Sequence, residues 1–312
     1  MGKPAVSYIG NYSVDMIRDS GGDDLVETFK KKIAGADANK DGRDYEIIYG
    51  TCRTIIEVAT LMDLLRKGHD LPDLDKYSFW DRPLALVDDY YLNGVYDHFF
   101  GQLKRGALEW YEVNYDIQRQ RDMDQNIGRD VRYRIVLESE KRKRSVDSCV
   151  EADGHTDIDT EIFCASEEFY ELLDWNEDIF DAFATVTGSS RLVDQETAYE
   201  SFHYQYWKTR YEETFVNYML KCSKRKEYFI PRLKRAASLY ALEEALEVSC
   251  WNCKGRIVGE LLRIEGAGAM RTYRIPSESA VDTLIKMLDE QIFEFNEIVE
   301  RLEAGGWQRA AI

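Results

Sequence analysis

VDTLIKMLDEQIFEFNEIVERL, Val281 to Leu302, carries apolar residues at Val281, Ile285, Leu288, Ile292, Phe295, Val299 and Leu302, in steps that alternate between four and three. Such a heptad seam predicts one continuous amphipathic helix. Ser277 or Ser279, behind Pro276, can cap its start, and Gly305-Gly306 lets the backbone leave the right-handed helix at its end. A helix with an apolar stripe is unstable alone in water, so this one is expected to lie on another helix of the same chain or of a second copy.

Upstream, Pro231 opens a second pattern. Leu239, Leu242, Leu246, Cys250, Cys253, Ile257, Leu261 and Ile264 keep an eleven-residue rhythm close to that of a straight helix, which predicts one long helix. On that reading Cys250 and Cys253 lie on the apolar stripe and belong to the core. As a zinc half-site, Cys250-Trp-Asn-Cys253 lacks a second Cys-x-x-Cys or His pair; as a thioredoxin-type redox pair it lacks the preceding strand. A break at Gly255 would instead turn Arg256–Ile264 and Met270–Ile275 into a hairpin behind the cysteines.

Before this helix, Lys221, Lys224, Arg225, Lys226, Arg232, Lys234 and Arg235 form a basic strip interleaved with Tyr228 and Phe229. Bases neutralise phosphate and rings stack on nucleobases, so the strip invites a nucleic-acid reading. A net charge of −17 repels polyanions at long range and makes that partner unfavourable. Pairing with acid is preferred, and the acid is concentrated: residues 151 to 200 hold fifteen Asp or Glu against one base, Arg191. Ser166 can cap a short helix or helix pair with Phe169, Leu172, Leu173, Ile179, Phe180 and Phe183 inside. Glu167, Glu168, Glu171, Asp174, Glu177, Asp178 and Asp181 then face out. A ring-rich helix follows from about Glu196 to Lys221, after a loop at Thr185–Ser190.

The segment Val131–Leu137 is the best strand candidate, and the Cys149–Phe163 region is expected to pair back with it. Within that region Asp153, His155, Asp157, Asp159 and Glu161 alternate and are read as exposed acid. Towards the N-terminus, helices are predicted from Asp23 or Asp24 to Gly35 and from about Asp44 to Lys67. Between them Asp37, Asn39, Asp41 and Gly42 match the first half of a calcium-binding EF-hand loop, but Ile48 stands where the bidentate Glu is required, which favours a plain Asx-rich turn.

Asp81 and Pro83 open a third predicted helix carrying Val87, Tyr91, Val95, Phe99, Leu103, Ala107 and Trp110, with Asp89, Asn93 and Asp97 as a polar ridge. Asp88-Asp89 with Asn93 resembles the aspartate-rich magnesium motif of class I terpene cyclases. The resemblance implies an all-helical, magnesium-dependent enzyme; the second metal motif of that family is incomplete here, since Asn217 is followed by Lys221 where Ser is required.

With 312 residues, 44% apolar content and 12% aromatics, the chain can bury one large core or two ordinary ones. The expected class is mainly α (α+β), with helical bundle parts and a small β element around residues 131–163. Three segments are expected: an N-terminal helical part (1–125), a strand-bearing acidic middle (126–190) and an antiparallel helical part (191–312). Six scattered cysteines and no apolar leader or spanning run favour a soluble cytoplasmic protein without membrane contact. No Walker loop, complete dinucleotide fingerprint, Gly-x-Ser-x-Gly or His-Glu-x-x-His is present, so no catalytic residue, metal ligand or cofactor is assigned. The expected function is a non-catalytic interaction or assembly protein, a homo-oligomer or the binder of a basic protein partner. It would use its helical seams, the acidic face from Glu167 to Asp181, and the basic strip. The alternatives are a magnesium-dependent helical enzyme at Asp88, Asp89 and Asn93, or a nucleic-acid binder at 221–235.

Overall fold

The computed structural model describes residues 8–9, 12–35, 40–67, 69, 71–83, 85–87, 89–106, 108–209, 212–224, 231–258 and 261–310. In chain order the elements are β1 (Tyr8–Ile9), β2 (Tyr12–Ser13), α1 (Val14–Gly35), α2 (Lys40–Arg66), α3 (Leu71–Leu74), β3 (Ser78–Asp81), β4 (Tyr90–Asn93), β5 (His98–Lys104) and α4 (Trp110–Asn126). Next come β6 (Arg132–Leu137), α5 (Glu140–Ala152), β7 (Ile158–Ile162), α6 (Phe169–Trp175), α7 (Glu177–Thr187), α8 (Leu192–Lys208), β8 (Glu213–Thr214), α9 (Phe215–Ser223) and α10 (Pro231–Ser249). The chain ends with β9 (Cys250–Trp251), β10 (Cys253–Val258), β11 (Leu261–Gly266), β12 (Ala269–Arg274), α11 (Glu278–Glu290), β13 (Phe293–Glu294), α12 (Phe295–Ala304) and β14 (Gln308–Arg309). The class is α+β. No helix among the described residues is long and apolar enough to cross a membrane.

The chain divides into two compact units, the first made of Met1–Glu57, Tyr77–Asp181 and Phe202–Phe215, the second of Val58–Lys76, Ala182–Ser201 and Val216–Ile312. Unit 1 is built on a six-stranded sheet in the order β7-β6-β5-β4-β3-β8. β3, β4 and β5 form an antiparallel meander, whereas β5, β6 and β7 run parallel and are joined by α4 and α5. One core of the unit packs Ile17, Phe29, Leu86, Phe100, Ile117, Met123, Tyr133, Ile135 and Leu137 together.

The helix expected from Asp81 to Trp110 is therefore a β-meander, and the β element reaches well beyond 131–163. Phe99, Phe100, Gly101, Gln102 and Leu103 are all buried, because β5 is central and covered on both faces. A run apolar on both faces satisfies a spacing of four as easily as one of two, so periodicity alone does not separate helix from strand here. Gly94 marks the turn, its N–H donating 2.8 Å to the Asp97 carbonyl. The Val131–Leu137 segment does form β6, and its partner β7 pairs in parallel after the α5 crossover.

Unit 2 contains an antiparallel sheet in the order β10-β11-β12-β14. Leu242, Leu246, Leu262, Ile264, Tyr273, Val281, Leu288, Phe293, Ile298 and Leu302 share its core. The long helix expected after Pro231 stops at Ser249, and its stripe continues into strands. Gly255 lies so close under α10 that an added Cβ would meet the Leu246 side chain at 2.7 Å. Ala267 and Gly268, at φ 49° and 74°, make the two-residue turn between β11 and β12.

The 281–302 seam is likewise two helices. Gln291 is extended, Phe293–Glu294 pairs in parallel with Cys250–Trp251, and a Glu294/Glu297 capping box starts α12 afresh. The capping box supplies the backbone N–H groups of a new first turn with acceptors, which offsets the interruption. Val281, Leu288, Phe295 and Leu302 remain buried in the unit's own core, whereas Ile292, at the break, is 69% exposed.

Candidate functional site

Open α/β sheets place ligands beyond the carboxyl ends of their parallel strands. In unit 1 that edge is reached by Gln102 and Lys104, which are two residues apart on β5 and so share one face. Antiparallel pairing of Tyr90 with Gly101 brings Asp89, just before β4, beside them. The Asp89 carboxylate accepts the Leu103 N–H at 2.6 Å and is in contact with the Gln102 amide. Gln102 is buried and Lys104 half-buried.

Glu46, in the early turns of α2, belongs to the same group. Burial raises its carboxyl to about 8, Asp89 adds to the rise, and Arg43 opposes it. Arg43 holds Asp81 with both guanidinium nitrogens at 2.8 and 2.5 Å and reaches Glu46 at 3.3 Å. The Tyr206 hydroxyl donates to Asp81 at 3.1 Å. Tyr206 fits only because residue 50 is glycine, whose Cβ would stand 2.1 Å from the phenol oxygen. Asp81 is thus committed to structure, and Asp89, Gln102, Glu46 and Lys104 are the candidate residues at this end of the sheet.

A basic rim borders this group. Arg105 follows β5, and α5 begins at the end of β6 with Lys141, Arg142, Lys143 and Arg144 in its first turns. Arg105 and Arg142 share Glu138 at 3.5 and 3.6 Å, Lys143 pairs with Asp147 at 2.8 Å, and Arg144 pairs with Glu140 at 3.1 Å. Lys104 and Lys141 have no ion pair among the described residues.

Among the described residues no three His, Cys, Asp or Glu side chains converge on one metal position. The Gln102 amide lies against the Asp89 carboxylate, with Glu46 within electrostatic reach; turned by half a turn, that amide would present its carbonyl oxygen beside the carboxylate.

The ridge expected from Asp88, Asp89 and Asn93 is not assembled as one helix face. Asp88 lies outside the described residues, and β4 carries Asn93 to the end opposite Asp89, where it pairs with His98. Asp97 is drawn instead to Arg53 at 3.1 Å and Arg134 at 3.3 Å. The alternating acids of 153–161 are not free acid either. Asp157 holds Arg121 through two bonds of 2.7 Å, Asp159 holds Arg132 at 2.7 Å, and Glu161 holds Arg134 at 3.2 Å. A cleft of about 410 Å³ at the amino ends of β6 and β7 is lined by Arg121, Arg129, Asp124, Tyr133 and His155. Its charges satisfy one another: Asp124 takes Tyr12 at 2.8 Å, Tyr133 at 3.0 Å and Arg129 at 3.3 Å.

The acidic helices form as expected. On α6 and α7 and the turn before them, Glu167, Glu168, Asp174, Glu177, Asp178 and Asp181 are exposed and make no ion pair among the described residues. Glu171 is half-buried against the Ser166 hydroxyl at 2.9 Å. Tyr170 and Trp175, each 55% exposed, stand among them.

Of the basic strip, Lys224 is exposed and Arg235 half-buried, while Arg225, Lys226 and the side chains of Arg232 and Lys234 lie outside the described residues. Asp37, Asn39 and the Asp41 side chain do so as well. Sequence reasoning missed Gln102 and Lys104 because their run reads as helix. It missed Glu46 because its nearness to Asp89, far along the chain, is made by the fold alone. Set against protein-family models, curated proteins and solved structures, the chain finds no match in any of the three.

Proposed function

We propose that unit 1 is a divalent-metal-dependent hydrolase acting on phosphodiesters of a nucleic acid. The observation that carries this reading is Asp89 set against Gln102 and within electrostatic reach of Glu46, at the carboxyl end of the central strand, which Lys104 closes beside the basic rim. Asp89 and Gln102 would hold the ion through oxygen, with Glu46 as a further carboxylate. A magnesium or manganese ion held there would supply an activated water and would neutralise charge on the attacked phosphate. Lys104 donates to a non-bridging phosphate oxygen as that charge builds, and its ammonium has no competing carboxylate among the described residues. Lys141 and its basic neighbours on α5 draw the polyanion locally, against the overall negative field. The enzyme reading thus moves from a helical ridge to a strand-borne site, and the nucleic-acid reading from 221–235 to the start of α5. Free, scattered cysteines favour a reducing compartment such as the cytoplasm.

The test is cleavage of labelled DNA and RNA, single- and double-stranded, with magnesium or manganese, alongside calorimetric titration of each metal. Asp89→Asn and Lys104→Ala are expected to lower the cleavage rate at least about 100-fold while leaving circular dichroism unchanged. No metal binding and no cleavage of any of the substrates would sink the proposal.

A second reading keeps the interaction function, favoured by Tyr170 and Trp175 among exposed carboxylates. Here α6 and α7 capture a basic protein segment, with rings supplying contact area and acids steering the encounter. Trp175 fluorescence titrated with a lysine-rich peptide is expected to saturate at low salt and to lose the response in Trp175→Ala. An unchanged spectrum at low salt would exclude this face.

A further inference from the structure

The sequence motif left unused by the foregoing is Cys250-Trp-Asn-Cys253, and the fold gives it a definite setting in unit 2. Helix α10 ends at Ser249, Cys250 pairs with Phe293 through β9, and Asn252 adopts a left-handed conformation at φ 58°. That turn sends the chain back so that Cys253 opens β10, opposite Gly266. Residue 266 has room for no side chain: a Cβ there would stand 2.8 Å from Cys253 Cβ and 2.9 Å from the Asn252 carbonyl oxygen. The packing thereby presses the turn shut. The two thiols lie close enough for Cys250 to donate its S–H to Cys253, and both are half-buried while Trp251 between them is 60% exposed.

Neither of the earlier readings describes this arrangement. The cysteines are not on a helical stripe. Zinc would need further ligands, and among the described residues no third His, Cys, Asp or Glu joins them.

We infer that Cys250 and Cys253 are a redox-active dithiol that reduces small-molecule disulfides and closes into an intramolecular disulfide across the Asn252 turn. Burial raises both thiols, but their mutual contact raises Cys250 further and lowers Cys253, so Cys253 is the more acidic of the two and the attacking sulfur. Its thiolate attacks one sulfur of the small disulfide, forming a mixed disulfide and expelling one small thiolate. Cys250 then gives up its proton, attacks the Cys253 sulfur and expels the second thiolate. Two protein S–H bonds are lost and one S–S bond is formed, while the small disulfide takes up two electrons and, with the two protons, leaves as two thiols. Burial holds the Cys250 thiol up at about 12, so the closing step accelerates with rising pH.

The experiment uses the full chain equilibrated in mixtures of reduced and oxidised glutathione, quenched by alkylation and analysed by peptide mass spectrometry. The peptide spanning 250–253 is expected to lose two hydrogen masses, to carry neither alkyl nor glutathionyl groups, and to shift the fluorescence of Trp251. Cys250→Ser is expected to trap glutathione on Cys253, whereas Cys253→Ser reacts at least about tenfold more slowly. A wild-type peptide alkylated at both cysteines, or glutathionylated without closure, under the most oxidising mixture would overturn the inference. That readout needs no variant to fold.

Discussion

Glu46 ties the proposed chemistry of unit 1 to its stability. Its carboxyl is raised from 4.5 to about 8 in the fold, so the native state holds this proton more tightly than the unfolded chain does. The favourable contribution is complete below about pH 4.5, declines as pH rises and is gone above about pH 8. Unfolding free energies from denaturant titrations with chelator between pH 5 and 9 are expected to fall by about 2–4 kcal/mol in the wild type, and to stay flat in Glu46→Gln. A magnesium ion bound as proposed would select the ionised carboxylate, so saturating metal is expected to flatten the wild-type curve too. Two positions beneath the site separate packing from hydrogen bonding. Gly50→Ala puts a Cβ where the Tyr206 hydroxyl sits and is expected to cost about 2–4 kcal/mol in urea unfolding. Tyr206→Phe removes one donor from Asp81 while Arg43 still holds it, and is expected to cost only about 1 kcal/mol.

At the scale of elements, the β4–β5 hairpin decides whether the site exists. Glu57 accepts the Val95 N–H at 3.1 Å and crowds residue 94, where a Cβ would meet its carboxylate at 2.7 Å. Gly94→Ala is expected to disturb that brace, lowering any metal affinity at Asp89 without touching a ligand; calorimetric titration reads this. The capping box at α12 makes a smaller, separable contribution: Glu297→Ala is expected to cost about 1 kcal/mol. These two elements also mark where the sequence was legible. The acidic helices α6 and α7 could be read because each shows one face to water, and the resulting alternation fixes its period. β5 could not, since a strand covered on both faces has no polar side to reveal its pitch. The 281–302 seam misled for the opposite reason. Its spacing survives in the core, but the Glu294-x-x-Glu297 restart and the pairing of Phe293 with Cys250 depend on a strand far away in sequence. Glu46 and Asp89 are ordinary charged residues until the fold brings them within electrostatic reach of each other, and no local pattern announces such a meeting.

For the whole molecule, the core of unit 2 that joins Leu242 to Leu302 draws its residues from one uninterrupted stretch. A fragment spanning residues 231–312 is therefore expected to fold alone, with a cooperative urea transition and protected amides in β11 and β12; a structureless fragment would show that this core needs the rest of its unit. Unit 1 is different in kind, since its three pieces are separated along the chain and the last, Phe202–Phe215, contributes Tyr206 and Phe215, which pack on Phe79. During synthesis the ribosome releases β3 to β7 before the helix that closes over Phe79 and Asp81, and β8 after it. For the time needed to translate from Ile162 to Phe202, the nascent strands carry an uncovered aromatic floor and an unfinished acid–base pair. A chaperone that shields apolar surface would find its client there, and translational pausing ahead of residue 202 would lengthen the interval in which misfolding can begin.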